Sequence, residues 1–392
     1  MSSLILLRHA EVYAPERLGR RDLLVAGGEV VALAPSLPDL PPGIEAEVVD
    51  LEGRRVIPGL IDGHVHLTGG GGEAGPGTRV PPLQLTTLTA GGITTAIGVL
   101  GTDDVVRTTA ELVAVTAGLR AQGLSAWCLT GGYHLPPMTL TGTVRGDIAL
   151  VDEIIGVGEV AISDHRSSQP TLDDLLRLAA EAHVGGLMSG KAGVLHLHVG
   201  DGARGLDLVR QALAATELPA KVFHPTHVNR RKALLEEAMA LARLGPTIDL
   251  TAFPVEEGED AWSAEDALAL CLDAGVPPHR LTVSSDGGGC LPRFDADGRV
   301  AGMDVGQPRA LAAALRTLLM AGRPLEQVLP AFTVNVAAQF RLVRKGQIRV
   351  GGDADLVVLD EDHRVLHVMA RGRWHRRDGA PRVHGPFEER PS

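Results

Sequence analysis

Two histidines, His64 and His66, stand two residues apart in the apolar run VIPGLIDGHVHL. In an extended strand alternate side chains share a face, so both imidazoles point one way and Val65 the other. Two imidazoles on one face at a strand end suit a divalent metal. Alone, H-x-H is a short pattern that marks a polar strand end just as readily. Four further donors raise the metal reading: Glu159, His198, His227 and Asp286, each near the end of a different apolar β-run. Taken singly, a strand-end histidine is more often a rim or core residue. Six nitrogen and oxygen donors on five strands can act together only if those strand ends share one mouth. Imidazole with carboxylate suits zinc or another first-row divalent ion, and two metals bridged by a carboxylate would use all six donors.

The elements that must position these donors follow from the rhythm of the chain. Strand candidates are VIPGLIDGHVHL, ITTAIGVLG, LSAWCLTGG, IIGVGEVAI, GVLHLHVGD, KVFHPTH, TIDLTA and LTVSSDGGG. Amphipathic helical patterns such as TLDDLLRLAAEAH, GLDLVRQALAATE and ALLEEAMALARLG lie between them. This α/β cadence predicts a (β/α)8 TIM-like barrel over residues 56–343. A doubly wound open sheet is the alternative, and it explains less well why polar groups recur at nearly every strand's C-terminal end. Residues 1–55 and 344–392 are rich in β-formers and punctuated by glycine, which predicts one small β-sandwich domain built from both termini. Within the barrel, His196 shares the parity of His198 but lies deeper, as a core or supporting group. His224 and His134 fall near the mouth without joining the ligand set, and His165 is expected at the rim.

Composition narrows the partners. The chain has 392 residues, 44% of them hydrophobic, enough for a packed core. Its net charge of −11, with no basic stretch, argues against nucleic acid as a partner. Three scattered cysteines, Cys128, Cys271 and Cys290, do not make a disulfide framework and point to a reducing compartment. No stretch reads as a membrane span or a signal peptide, so a cytoplasmic protein is expected. Lysines are few: Lys191, Lys221, Lys232 and Lys345.

VIPGLIDGHVHL, the two later strand-end histidines and the final aspartate resemble the amidohydrolase superfamily, as does the return GQIRVGGDADLVVLD. More narrowly, HVHLTGGGGEAGPGTR, LGTDDV, TGGYHLP, AISDHRSS, GGLMSGKAGV, PTHVNR and SSDGGG resemble, in order, the isoaspartyl dipeptidases. The resemblance implies a binuclear zinc hydrolase that cleaves β-aspartyl dipeptides and assembles as a homo-oligomer. His64, His66 and Asp286 would hold one metal and His198 with His227 the other. A hydroxide bridging both metals would attack, with Asp286 as the proton shuttle. Tyr133 would polarise the scissile carbonyl. Glu73 would meet the substrate ammonium, with the backbone at Gly71 close to the ligand. Arg166 and Arg230 would clamp carboxylates, and Thr102 would add a hydrogen bond.

Two positions depart from the pattern. The family's strand four ends in a lysine that is carboxylated to bridge the metals, whereas this chain has Glu159 there. Its reach is shorter by on the order of 4 Å, so the backbone must come closer, and Gly156 and Gly158 would permit a bulge. Cys290 stands where a substrate-contacting serine is expected. A different amidohydrolase, such as a cyclic imidase or an N-acyl-amino-acid hydrolase, is the rival on the same metal centre. It would have less need of Glu73, Arg166 and Arg230. An inactive barrel acting as a binding protein is the rival from another class, disfavoured because all six donor positions are competent.

Overall fold

The computed structural model describes residues 4–294 and 300–389; residues 1–3, 295–299 and 390–392, which belong to the expected terminal domain and barrel, lie outside the described residues. The chain opens with β1 (Ile5–Tyr13), β2 (Arg17–Ala26), β3 (Glu29–Ala34), β4 (Glu47–Asp50) and β5 (Arg55–Pro58). The eight barrel strands follow: β6 (Leu60–Val65), β7 (Ile93–Gly98), β8 (Ser125–Thr130), β9 (Ile154–Ile162), β10 (Val194–Val199), β11 (Phe223–Thr226), β12 (Ile248–Thr251) and β13 (Leu281–Ser284). A hairpin of β14 (Cys290–Phe294) and β15 (Val300–Val305) comes next, then β16 (Leu356–Leu359), β17 (Val365–Ala370), β18 (Arg373–Arg377) and β19 (Ala380–Pro381).

Strands β6 to β11 pair in sequence as a parallel sheet, and β12 pairs with β13. Two sets of backbone bonds close the ring. Val228 N meets Asp249 O at 3.5 Å, joining β11 to β12. His66 N reaches Gly287 O at 2.8 Å and Asp286 N reaches His64 O at 3.2 Å, joining the end of β13 to β6. The result is the (β/α)8 barrel. Its strands are buried along almost their whole length, Trp127 of β8 being partly exposed, as parallel strands covered on both faces must be. Helices cover the outside. The helix Leu172–Ser189 starts in a Thr171–Asp174 capping box and turns Leu175, Leu178, Ala179 and Ala182 inward.

The terminal segments form the nine-stranded sheet β19-β18-β17-β16-β5-β1-β2-β3, with β4 on β1, around a separate core that includes Leu7, Val12, Leu23, Val25, Val56 and Leu356. The run VIPGLIDGHVHL is not one strand. β5 pairs antiparallel with β16, from Pro58 opposite Leu356 to Arg55 opposite Leu359, and so lies in the terminal sheet. Gly59 alone separates it from β6. Proline cannot donate to a ladder, which is consistent with a strand that stops at Pro58.

Candidate active site

His64 is the penultimate residue of β6 and His66 lies just past its end, so both imidazoles enter the barrel mouth. His64 Nε2 lies 3.4 Å from Glu159 Oε2 and 3.5 Å from Asp286 Oδ1. His66 Nε2 lies 3.6 and 3.1 Å from the same two oxygens. The other oxygen of Glu159, Oε1, sits 2.6 Å from His198 Nδ1 and 3.1 Å from His227 Nε2. Glu159 therefore presents one oxygen to each of two histidine pairs. All six donors are at most 5% exposed.

The backbone explains how so short a side chain reaches this point. The β9–β10 register slips between Leu195 and Leu197, so that β9 bulges at Gly158 and Glu159 opposite His196. Gly158 has φ +143°, and a Cβ there would meet His196 O at 2.5 Å. Only glycine allows that approach. Gly71 is required for a similar reason: its φ is +78°, and a Cβ would meet Thr78 O at 2.4 Å where the loop folds back.

His64 Nε2, Glu159 Oε2 and Asp286 Oδ1 are buried and find no hydrogen-bond partner among the described residues. Buried polar atoms in a native protein are normally satisfied, so three converging orphans mark a place where a ligand atom is wanted. Burial alone would lower the pKa of His64, yet the charge of Glu159 and then the neighbouring Asp286 carboxylate outweigh it and push it well above the usual value. Burial would raise Asp286, but the neighbouring imidazoles of His64 and His66 hold it below the ordinary carboxylate range. The carboxylates thus call for positive charge at this point. His64, Glu159 and His227, and again His64, His66 and Asp286, bring ligand atoms within 4.8 Å of one another. Burial lowers His227 to about 3, so its imidazole is neutral and able to ligate. The donor set fits divalent cations. His198 touches Glu159 but belongs to neither three-residue group.

Above the histidines lies a cavity of about 460 Å³, lined by Gly71, Glu73, Thr102, Tyr133, Arg166, Arg230 and Cys290 together with the mouth-facing donors. Its size suits a small ligand. Glu73 accepts from Thr102 Oγ1 at 3.0 Å and from Arg166 Nη1 at 3.4 Å, while its Oε2 is buried without a partner among the described residues. Tyr133 places its hydroxyl 2.7 Å from His198 Nδ1. Burial, with the Glu159 charge, pushes the Tyr133 phenol well above its usual pKa, so it stays a neutral donor. Arg166 lies over the Tyr133 ring, 5.4 Å from its centroid. Arg230 Nη1 reaches Val199 O at 3.1 Å. Burial and then Glu73 push the Cys290 thiol up to about 12, so it too stays protonated.

The structure adds residues that sequence reasoning missed. Asp164 takes Arg166 Nε at 3.0 Å and Nη2 at 2.8 Å, and faces His198 Nε2 at 3.0 Å. It ties a candidate substrate clamp to a candidate ligand. Its only sequence signal is an acid two residues before Arg166. Asp62 accepts from Ser285 N at 3.0 Å and from the Ser285 hydroxyl, holding the segment that carries Asp286. The remaining histidines lie elsewhere. His134 is hydrogen-bonded to Asp104 at 2.5 Å, the side chain of His165 is 57% exposed at the rim, and His196 and His224 lie buried beneath His64.

Residues 55–375 match the model of the amidohydrolase family. The β-aspartyl dipeptidase of the thermophilic, keratin-degrading Fervidobacterium islandicum AW-1, solved in complex with a β-Asp-Leu dipeptide, superposes with a TM-score of 0.94. It is 39% identical, covering 99% of this chain and 100% of that one. A second structure of the dipeptidase from that organism gives 0.90 at 38% identity, over 98% and 100%. Imidazolonepropionase of Salinispora arenicola is 27% identical over 380 residues, 89% of this chain and 88% of that protein.

Proposed function

Because the chain belongs to the amidohydrolase family, in the group of the β-aspartyl dipeptidases, we propose that it hydrolyses the isopeptide bond of β-aspartyl dipeptides at a two-metal centre. The observation that carries this reading is the division of charge in one cavity. The unpartnered Glu73 Oε2 offers an anion on one side, and the guanidinium groups of Arg166 and Arg230 offer cations beside the histidine cluster. A β-aspartyl dipeptide carries an ammonium and two carboxylates, and the β-linkage leaves the aspartyl α-amino and α-carboxyl free to be read. Glu73 takes the ammonium. Arg166, held in place by Asp164, and Arg230 take the carboxylates through charge-assisted hydrogen bonds.

His64, His66 and Asp286 would hold one divalent ion, with zinc as the proposed metal, and His198 and His227 the other, with Glu159 between them. Such ions supply Lewis acidity and a water acidified to near neutral pH. Asp286 accepts the proton of the attacking water and returns it to the leaving amine. Tyr133 donates its hydroxyl hydrogen bond to the oxygen on which charge develops. Thr102 orients Glu73, and the Cys290 thiol lies against the same carboxylate. In this reading the barrel expected over 56–343 carries the chemistry, although Arg55–Pro58 lies in the sheet formed with β16 and β1. A homo-oligomer in the cytoplasm belongs to the same proposal; among the described residues no helix is long and apolar enough to cross a membrane.

The test compares β-Asp-Leu with α-Asp-Leu. The β-linked substrate should be cleaved with the far higher kcat/KM. Comparable values for the two, or turnover of a cyclic imide with neither dipeptide cleaved, would reassign the site to another amidohydrolase reaction.

A further inference from the structure

Beneath His64 runs a line of polar side chains that lies outside the substrate cavity. His64 Nδ1 lies 2.8 Å from His196 Nε2, and His196 Nδ1 lies 2.9 Å from His224 Nδ1. His224 Nε2 is 3.3 Å from Thr282 Oγ1, which is 2.6 Å from Asp249 Oδ1. The five groups come from five strands, β6, β10, β11, β13 and β12, and each is at most 1% exposed. The Phe340 ring packs against both inner imidazoles, with centroids 6.4 Å from His196 and 5.6 Å from His224. Asp249 Oδ2 also accepts from Thr226 at 2.7 Å and Ser284 at 2.5 Å, so three hydroxyls solvate the buried carboxylate.

The chemistry of each group fixes the direction of the chain. A carboxylate only accepts, so the Thr282 hydroxyl donates to Asp249. Thr282 can then only accept from His224, whose Nε2 must carry the proton. His196 and His224 are fully buried and neither ring touches a carboxylate, so both are neutral. A neutral His224 has a bare Nδ1, and His196 must donate to it from Nδ1. His196 then has a bare Nε2, and His64 must donate from Nδ1. The Nε2 of His64 is left as its one nitrogen free to ligate, and that atom faces Glu159 and Asp286.

We propose that His196, His224, Thr282 and Asp249 form a one-way hydrogen-bond relay that sets the tautomer of His64 and positions its Nε2 toward the buried metal site. They are positioning residues, since none of them lines the substrate cavity. The proposal rests on the reading of His64 as a ligand. Partners that orient a ligating imidazole typically contribute about 10- to 100-fold in metal affinity.

Thr282→Val cuts the relay two rings away from His64 and changes no imidazole. Zinc affinity of the metal-stripped protein, read by competition with a chromogenic chelator, should fall about 10- to 100-fold for one of the two ions. Thr282→Ser, which keeps the hydroxyl, should restore it. Long-range 15N–1H spectra of the wild-type protein with labelled histidine should show the proton on Nδ1 of His196 and on Nε2 of His224. Unchanged affinity in Thr282→Val, or a proton on Nε2 of His196, overturns the relay. The spectrum decides even if the valine variant fails to fold. A wild-type protein that takes up no zinc would instead overturn the reading of His64 as a ligand, while the two inner tautomers still report on the relay itself.

Discussion

Replacing Tyr133 by Phe removes a single oxygen from a closed wall. That oxygen lies 2.7 Å from Nδ1 and 3.2 Å from Nε2 of His198, and the residue is 6% exposed. Because burial and the Glu159 charge keep the phenol protonated, the hydroxyl is a donor at every working pH, and its loss should not reshape the pH profile. Removing a buried donor aimed at a developing oxyanion costs about 2.7–4 kcal/mol, or about 10²- to 10³-fold in kcat/KM. The ground-state carbonyl carries less charge, and a neutral hydrogen bond nets about 1 kcal/mol, so KM should rise only about 5-fold. The remaining ~1.7–3 kcal/mol falls on kcat, a loss of about 20- to 160-fold. The assay is leucine release from β-Asp-Leu, with metal content measured on the same sample because the hydroxyl also touches His198. A metal-replete Tyr133→Phe enzyme with kcat within about threefold of wild type would refute the argument. An effect confined to KM would reduce Tyr133 to a binding contact.

Two other substitutions separate proton transfer from metal assembly. Asp286→Asn cannot take a proton and should lose about 10²- to 10⁴-fold in kcat; near-normal turnover with metals bound would remove the shuttle role. Glu159 already carries a carboxylate, so the stripped wild-type enzyme should recover fully with zinc in bicarbonate-free buffer, while Glu159→Gln should bind metal weakly. A bicarbonate requirement in the wild type, or full two-metal occupancy in the variant, would contradict the bridging assignment.

The barrel was legible because its strands are largely apolar and end in polar groups, a pattern that a shared mouth explains. The switch of sheets inside VIPGLIDGHVHL was not, because the hydrophobic run continues unbroken through Pro58 and Gly59. Strand parity placed His196 on the face of His198 and correctly deeper. It could not show that His196 meets His64 from β6 on one side and His224 from β11 on the other, because parity within one strand says nothing of register around a closed ring. The closer approach of Glu159 could be anticipated from the glycines before it, since a shorter side chain needs a nearer backbone. Asp164 was hidden because loop residues follow no periodicity, and an acid near an arginine is common on any surface.

The one-residue step from β5 to β6 has a consequence for synthesis. Pro58 pairs with Leu356, 298 positions later in the chain (356 − 58). At about 5–20 residues per second, a ribosome needs roughly 15–60 s to deliver that partner. Throughout that interval the edge of β5 stays open, next to the strand that carries His64. An open strand edge templates pairing with other chains, so the nascent polypeptide is most exposed to aggregation beside its own future catalytic strand. Only the arrival of β16 removes the hazard, so a segment translated after the whole barrel is the one that secures the first barrel strand.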